Sequence, residues 1–303
     1  MISRILIIAS GGLLCYSKSF ISESNVDDDL VSGFLTAISN FAKEIKGGEI
    51  KALNFMNFNF IYAYDEPLDC MFIIVSDIDD IEEEVREKVN LMKDEFLKRY
   101  TSNLENWTGD VTQFEGFHEF VEEHVFIPPK VLLVGEPSVG KSTIMGLFPG
   151  ETVLELDEDL NEIVEKPINV AGLKGLKQFM LREMDLEELI DNSKMYRPLL
   201  NSVDVVLVVT NSAASNLGRT KKMLPTLKTK TKKADFYVIA NFQDHKDSAF
   251  SPDKIEDAFE AKTFGFSATS KDAQKRIFEI MVEILNKSII EKIKEKEAQQ
   301  AQT

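Results

Sequence analysis

The sequence predicts an α/β fold divided between two domains. The chain has 303 residues, and this length favours two domains. Its 44% apolar and 28% charged residues fit a globular protein with enough apolar side chains for two cores. Over about the first 125 residues the patterns give the element order β-β-α-β-β-β-α-α. After residue 130, an apolar β-run leads directly into a glycine-rich loop and the start of a helix.

The first domain is expected to cover residues 1–126 and to begin with a hairpin. An apolar run within residues 2–9 and an alternating run within residues 12–20 predict two strands joined by a glycine turn. An acidic helix start follows at residues 27–29. The apolar stripe of this helix is formed by residues spaced three or four apart: Leu30, Phe34, Ile38, Phe41 and Ile45.

The rest of the first domain alternates strands and helices. Residues 50–64 are rich in β-branched and aromatic side chains, with a turn near Asn57, and residues 71–75 predict a buried strand. A second helical stripe runs from Ile81 to Tyr100, and residues 111–120 predict a shorter third helix. Consecutive hairpins give an antiparallel sheet, and the helices must cover its faces to bury their stripes, which makes an α-β-α domain.

This element order resembles a longin domain. The phrase at residues 10–20, Ser-Gly-Gly-Leu-Leu-Cys-Tyr-Ser-Lys-Ser-Phe, is similar to the first hairpin of longin-type trafficking proteins. The resemblance implies a platform for protein partners, longin or roadblock-type proteins among them, and no active site. His118 and His124 lie among glutamates, and we interpret them as part of an exposed acidic helix rather than as metal ligands.

A short proline segment separates the two domains. Residues 127–130 contain Pro128 and Pro129, which cannot continue a helix and form a stiff, extended joint. The second domain is expected over residues 131–291. The polar residues 292–303 have no apolar stripe and predict a disordered tail.

The glycine-rich loop of the second domain matches the pattern G-x-x-x-x-G-K-[ST], with a strand before it and a helix after it. Its glycines let successive amides turn around a phosphate, and the helix N-terminus adds partial positive charge. We expect Lys141 to reach the β- and γ-phosphates and the Ser142 hydroxyl to ligate Mg²⁺. The residues of this P-loop expected to hold the nucleotide are Gly135, Ser138, Val139, Gly140, Lys141, Ser142 and Thr143.

Two further motifs indicate the base. Asn241 to Asp244, after a second β-run, resembles the Asn-Lys-x-Asp motif of the Ras-like GTPase superfamily. Its Asp accepts two hydrogen bonds from guanine, which adenine cannot provide. Phe242 replaces the Lys, and its ring can stack on the base in place of the Lys stem. Ser267, Ala268 and Thr269 resemble the Ser-Ala-Lys loop, in which an amide near Ala268 meets the guanine O6.

Together these motifs resemble a small Ras-, Arf- or Rag-like G domain over residues 130–290. The resemblance implies a mostly parallel sheet, with residues 204–210 as its fourth strand and residues 273–290 as its closing helix. It also implies GTP or GDP as ligand, together with Mg²⁺.

The parts that sense the γ-phosphate depart from that family. Its Asp-x-x-Gly motif has two candidates, Asp185 and Asp191, and neither is followed by the Gly. We assign Asp185 to the metal site with Ser142 and leave Asp191 open. The next residue, Leu189 or Met195, is not the water-positioning Gln.

The first switch departs as well. Thr152 is the single Thr between Pro149 and Pro167, and it lies too close to the P-loop helix. The carboxylates that follow it are interpreted as an exposed acidic loop, although they can also help to hold Mg²⁺. We therefore expect weak intrinsic GTP hydrolysis.

Charge and cysteine content restrict the expected binding partners and cellular location. The net charge of −16 argues against association with nucleic acid. Two basic islands, residues 219–222 and 228–233, are interpreted as a solubilised helix face. Two cysteines without metal-site spacing favour a reducing, cytoplasmic location. No apolar run approaches the roughly 20 residues that span a bilayer, which leaves peripheral membrane association open.

Three functions remain in view from the sequence. The first is a nucleotide-dependent switch or scaffold in membrane trafficking, and the second is a pseudo-GTPase scaffold with little or no nucleotide cycling. The third is an ATP-dependent P-loop enzyme, which Asp244 and the Ser267–Ala268 pair oppose.

Overall fold

A five-stranded antiparallel sheet and a seven-stranded mixed sheet organise the chain. They belong to two units, Met1–Ile127 and Pro128–Thr303. The structure is a computed structural model that describes residues 2–20, 28–45, 50–55, 58–78, 80–105, 107–156, 162–170, 176, 178–231 and 234–291.

The first sheet has the strand order β2-β1-β5-β4-β3, and every neighbouring pair is antiparallel. Its strands are β1 Ile2–Ala9, β2 Leu13–Ser19, β3 Ala52–Asn54, β4 Phe58–Asp65 and β5 Cys70–Asp77. The antiparallel sheet expected from the consecutive hairpins is thus confirmed. Gly11 and Gly12 both have positive φ in the turn between β1 and β2. Asn57 lies outside the described residues, but the Phe55 amide donates to the Phe58 carbonyl at 2.9 Å beside it.

Two long helices, α1 Asp28–Glu44 and α2 Glu82–Glu105, pack on opposite faces of this sheet. The predicted stripe of α2 is confirmed, because Val85, Val89, Met92 and Phe96 are buried. Phe96 meets Phe72 of β5 with ring centroids 5.8 Å apart. Neighbouring strand residues point to opposite faces, so Ile73 joins the other core, where Leu35 and Val31 of α1 pack.

The predicted orientation of α1 is wrong. Four residues of the expected stripe are exposed by 70%, 47%, 61% and 60%: Leu30, Phe34, Phe41 and Ile45. The helix carries a second apolar stripe beside the first, and its Val31 and Leu35 face the sheet instead. Contacts with the glycine turn set this rotation, because Ser32 Oγ donates to the Gly12 carbonyl at 2.7 Å. A Cβ on Gly12 would lie 2.9 Å from Thr36 Oγ1, so the helix approaches the turn as closely as a glycine allows.

The third helix differs from the prediction in type and extent. Residues Val111–Phe117 form a 3₁₀ helix, α3 covers His118–Phe120, and a π turn covers Val121–Val125. The 3₁₀ turn aligns residues three apart, so Phe114 and Phe117 both reach Phe96, at 5.3 and 4.9 Å between ring centroids. His118 contacts Tyr16 Oη at 2.8 Å through Nδ1. Within the described part of the chain, no group of three His, Cys, Asp or Glu side chains is arranged to hold a metal ion.

The second sheet has the strand order β12-β11-β10-β6-β9-β8-β7. The five strands from β12 to β9 are parallel, and β8 and β7 add antiparallel pairs at one edge. This confirms the expected mostly parallel sheet. Its strands are β6 Lys130–Gly135, β7 Val153–Leu156, β8 Glu162–Asn169, β9 Gln178–Asp185, β10 Val205–Thr210, β11 Asp235–Ala240 and β12 Lys262–Gly265.

Helices connect these strands. They are α4 Lys141–Gly146, α5 Leu186–Asp191, α6 Arg197–Ser202, α7 Ala214–Lys230, α8 Pro252–Phe259 and α9 Ala273–Leu285. The expected closing helix over 273–290 is α9, which continues into a π turn over Asn286–Glu291. The predicted tail, residues 292–303, lies outside the described residues. None of the helices over the ranges given above combines the length and apolar character needed to cross a membrane.

Candidate functional site

The P-loop connects the end of β6 to the start of α4 and turns tightly. Ser138 and Gly140 have φ values of 63° and 97°, the left-handed region in which a chain can reverse direction within a few residues. A Cβ on Gly140 would lie 2.4 Å from Asn241 Nδ2, and one on Gly135 would lie 2.5 Å from the Val209 carbonyl oxygen. Both positions therefore require glycine, because Asn241 and the Val209 carbonyl approach the loop too closely for a side chain.

Lys141 lies folded over the loop that precedes it. Its Nζ donates to the Gly135 and Glu136 carbonyls, both at 2.9 Å, and lies 3.9 Å from Asp185 Oδ2. Burial lowers the pKa of the Lys141 ammonium, while the nearby Asp185 and Glu183 carboxylates raise it. The positive charge is thus held at the mouth of the loop. Of the other P-loop residues, Val139 is buried and Thr143 is exposed on α4.

Glu136 places a buried carboxylate inside the P-loop, and two residues of α7 donate hydrogen bonds to it. Asn216 Nδ2 donates to it at 2.8 Å, and Arg219 donates through Nε at 2.9 Å and Nη2 at 2.6 Å. The Arg219 hydrogen bonds hold the pKa of the Glu136 carboxyl below its usual range, although burial opposes this effect. The sequence analysis missed this cluster, because nothing in the local pattern connects residues about 80 positions apart.

Two carboxylates of β9 lie on the P-loop side of this strand, and one of them contacts Ser142. The parallel pairing of β6 with β9 sets Glu183 opposite Leu133 and Asp185 opposite Gly135, so both side chains are on the same face of β9. Ser142 Oγ donates to Glu183 Oε1 at 2.6 Å. Glu183 was absent from the predicted site, since no family motif includes it.

The two candidates for the second switch occupy different positions. Asp185 is the last residue of β9 and caps α5, where its Oδ1 accepts from the Glu187 and Glu188 amides at 3.0 and 3.2 Å. Asp191 is the last residue of α5, one helix further from the P-loop strand. The arrangement therefore brings Asp185, and not Asp191, to the loop.

Asn241 joins the P-loop to the turn after β12. It follows β11 directly, and its Nδ2 donates to the Val139 carbonyl at 2.9 Å. Its Oδ1 accepts from the Ala268 amide at 3.1 Å. One buried side chain thus ties together three segments that are distant in sequence. Ser212 Oγ fixes the Asn241 backbone in turn, by donating to its carbonyl at 2.6 Å.

Asp244 stands at the rim of a pocket of about 470 Å³. Its Oδ1 accepts a 2.7 Å hydrogen bond from Ser267 Oγ, which is the main reason that the pKa of its carboxyl is lowered. Thr269 lines the same pocket. Phe242 has a positive φ of 62°, and its ring lies near Gly140 of the P-loop. The P-loop and the two motif segments predicted to bind guanine are therefore adjacent.

The arrangement fits a magnesium–nucleotide ligand. A serine hydroxyl and carboxylate oxygens are hard oxygen donors of the kind that Mg²⁺ prefers. The P-loop offers the backbone turn and the lysine that recognise phosphate groups in proteins.

The predicted first switch is partly a hairpin. Its strands β7 and β8 pair in antiparallel fashion, so the stretch interpreted as an acidic loop is ordered on both sides of residues 157–161, which lie outside the described residues. Thr152 is exposed just before β7. Lys166 of β8 is buried and donates to the Phe148 carbonyl at 2.7 Å, just beyond the C-terminal end of α4.

Comparison with known proteins gives one partial similarity. No family model matches the chain. Over 107 residues the chain is 29% identical to the tRNA modification GTPase MnmE of Natranaerobius thermophilus. The aligned segment covers 34% of this chain and 23% of that protein. The aligned segment is therefore less than a quarter of the relative's own length. This similarity supports a P-loop G domain in general and suggests nucleotide binding.

Proposed function

We propose that the Pro128–Thr303 unit binds GTP and GDP with Mg²⁺, and that the protein is a small GTPase-like switch or scaffold with weak intrinsic hydrolysis. The observation that carries the proposal is the position of Asn241. By bonding both Val139 and Ala268, it holds the P-loop and the Ser267–Thr269 turn at a common edge of the sheet. A phosphate-binding loop joined in this way to a base-binding turn favours a nucleotide as the ligand.

Guanine is the base that this edge suits best. Asp244 has one oxygen bonded to Ser267, and its side chain is about half exposed, which leaves acceptor capacity for a ligand. Guanine offers an N1–H and an exocyclic amine to such a carboxylate. Adenine offers no matching pair of donors and would leave the charge unpaired, which costs affinity.

The phosphate side is served by Lys141 and the P-loop amides, and Ser142 is the proposed Mg²⁺ ligand. Mg²⁺ held there by Ser142 would neutralise part of the phosphate charge. Lys141 leaves its two carbonyl partners to meet the β- and γ-phosphates. The Glu136 charge does not oppose phosphate binding strongly, because Arg219 already pairs with it.

We expect weak hydrolysis because of the residue that occupies the position of the water-positioning Gln. Counted from Asp185, that residue is Leu189 of α5, and its side chain is fully buried in the core. A buried leucine has no polar group with which to orient an attacking water. An arginine supplied by a partner is worth about 10³–10⁵ in rate in GTPases, so efficient turnover would depend on a partner.

For the first unit we propose a longin-like interaction platform, recruited in membrane trafficking and located in the cytoplasm. The strand order β2-β1-β5-β4-β3, with helices on both faces, supports the longin-like interpretation. Longin or roadblock-type proteins are the partners that this interpretation suggests.

The test is to denature the purified protein, identify any released nucleotide by chromatography, and measure the affinity for labelled GDP and ADP. We expect guanine nucleotide and a preference for GDP of about 10⁴, which Asp244→Ala should largely remove. Exposed Asp253→Ala is the matched control, and it should leave the preference intact. Equal affinity for the two nucleotides in the unsubstituted protein would refute guanine specificity.

A pseudo-GTPase scaffold is the second candidate, favoured by Leu189 and by the missing glycine after Asp185. Lys141→Ala separates the two candidates. A switch loses nucleotide binding and nucleotide-dependent partner binding with this substitution, whereas a scaffold keeps its partner binding.

A further inference from the structure

Glu183 and Asp185, which lie on the same face of β9, have different partners. Glu183 accepts the Ser142 hydroxyl at 2.6 Å. Asp185 Oδ1 instead accepts hydrogen bonds from two amides at the start of α5. Its second oxygen, Oδ2, lies 3.9 Å from Lys141 Nζ. The division of partners indicates a division of roles.

The number of hydrogen bonds that a serine hydroxyl can form shows what the Ser142 contact implies. A serine hydroxyl has one proton to donate and two lone pairs with which to accept or to coordinate. Because Glu183 takes the proton, the lone pairs of Ser142 Oγ are turned away from Glu183 and are free for a cation. A negatively charged acceptor also strengthens the electron-donating character of the oxygen that it holds.

Asp185 is less suited to that role. Its Oδ1 closes the first turn of α5, and moving it toward Ser142 would leave the Glu187 and Glu188 amides without this partner. Its Oδ2 is within ion-pairing distance of the Lys141 ammonium. Both oxygens of Asp185 therefore already interact with other groups, the α5 amides and Lys141.

We propose that Glu183 is the carboxylate that orients the Ser142 hydroxyl toward Mg²⁺, while Asp185 caps α5 and balances Lys141. The inference rests on the proposed function, in which Ser142 ligates Mg²⁺ beside a guanine nucleotide. Glu183 acts through Ser142 and is a positioning residue. The register of β9 explains the residue type, because Glu183 lies two residues before Asp185 and needs the longer side chain to reach α4.

The test measures the Mg²⁺ dependence of nucleotide binding. Labelled GDP is titrated onto the full chain in chelator and at increasing MgCl₂, which gives the Mg²⁺ concentration for half-maximal tightening. Glu183→Leu removes the acceptor, and we expect that concentration to rise by about 10–100-fold, the usual effect of losing an outer-sphere partner. GDP affinity in chelator should stay close to that of the unsubstituted protein.

Companion variants make the result specific. Asp185→Asn keeps an N-capping side chain and should shift the Mg²⁺ midpoint less than Glu183→Leu. Glu183→Gln keeps an acceptor without charge and should give an intermediate shift. Glu283→Leu makes the same chemical change at an exposed position of α9 and should give no shift.

Several outcomes would overturn the inference. One is an unchanged midpoint in Glu183→Leu, and another is a larger shift in Asp185→Asn. If Glu183→Leu fails to fold, Glu183→Gln decides, because a midpoint equal to that of the unsubstituted protein contradicts a positioning role. If the unsubstituted protein binds GDP with no Mg²⁺ effect, or not at all, the proposed function fails as well, which is a distinguishable result.

Discussion

At the scale of single residues, Asn241 shows how one side chain can define a site. Its amide donates at one end and accepts at the other, so both of its polar atoms have backbone partners on different loops. The same amide lies so close to Gly140 that no side chain fits there. A substitution at Asn241 should therefore affect both stability and ligand binding.

We expect Asn241→Ala to destabilise the protein by about 1–3 kcal/mol, because it leaves the buried Val139 carbonyl and the Ala268 amide without their partner. Urea denaturation measures this loss, and GDP affinity should fall by at least about tenfold, since RT ln 10 is about 1.4 kcal/mol. Exposed Asn90→Ala on α2 is the control and should change stability by less than about 0.5 kcal/mol. An Asn241→Ala protein with unchanged stability and affinity would contradict the bridging role.

At the scale of elements, α7 and the P-loop are joined through Glu136. A carboxylate in a loop that binds phosphates needs a counter-charge, and Arg219 on α7 supplies it. The position of α7 therefore contributes to the electrostatics of the loop. This contact also makes the unit sensitive to acid, as follows from the lowered pKa of Glu136.

Because Arg219 lowers the pKa of Glu136, the folded protein binds this proton less readily than the unfolded chain does. The stabilisation is complete above the unfolded pKa of about 4.3 and is lost as the pH falls through the lower folded pKa. Glu136→Gln cannot titrate, so its free energy of unfolding should fall less between about pH 5 and pH 3. Chemical denaturation at several pH values measures this, with exposed Glu283→Gln as control. Parallel pH profiles for Glu136→Gln and the unsubstituted protein would argue against the contact.

Helix α1 has two neighbouring apolar stripes, and only one of them can face the sheet. Leu35 is fully buried, whereas Phe41 is 61% exposed. We expect Leu35→Ala to cost about 2–5 kcal/mol of stability through the cavity that it leaves. Phe41→Ala should cost less than about 0.5 kcal/mol, as for other surface substitutions. Urea denaturation compares the two, and equal losses would show that the helix is rotated differently.

At the scale of the whole molecule, the chain combines an antiparallel α-β-α unit with a mostly parallel P-loop unit. A ligand that binds only the folded form stabilises it by mass action. For the proposed function, this stabilisation should appear in the melting of the Pro128–Thr303 unit.

We expect GDP with Mg²⁺, at about 100 times its Kd, to stabilise that unit by about 2.7 kcal/mol. Calorimetry detects the rise in melting temperature, and amide hydrogen exchange locates it in the P-loop and around Asn241. Lys141→Ala should show no rise. A rise of equal size with ADP at the same concentration would contradict guanine specificity.

Much of this organisation is readable from local patterns, and the exceptions have physical causes. The P-loop, the Asn241–Asp244 motif and the Ser267–Thr269 turn are recognisable because each motif is contiguous in the chain. Glu136 with Arg219, and Ser142 with Glu183, are side-chain contacts across 83 and 41 residues, respectively. No local periodicity records such contacts. The rotation of α1 escaped prediction because both of its stripes have helical spacing.

The sequence by itself determined the two sheets, the positions of most strands and helices, and the three motif segments of the candidate site, because backbone preference and apolar periodicity act over short stretches. The tertiary structure alone decided which carboxylate meets Ser142, which aspartate reaches the P-loop and which face of α1 is buried. Those choices depend on strand register and helix rotation. Both are set by contacts between distant segments, and a local pattern is compatible with more than one of them.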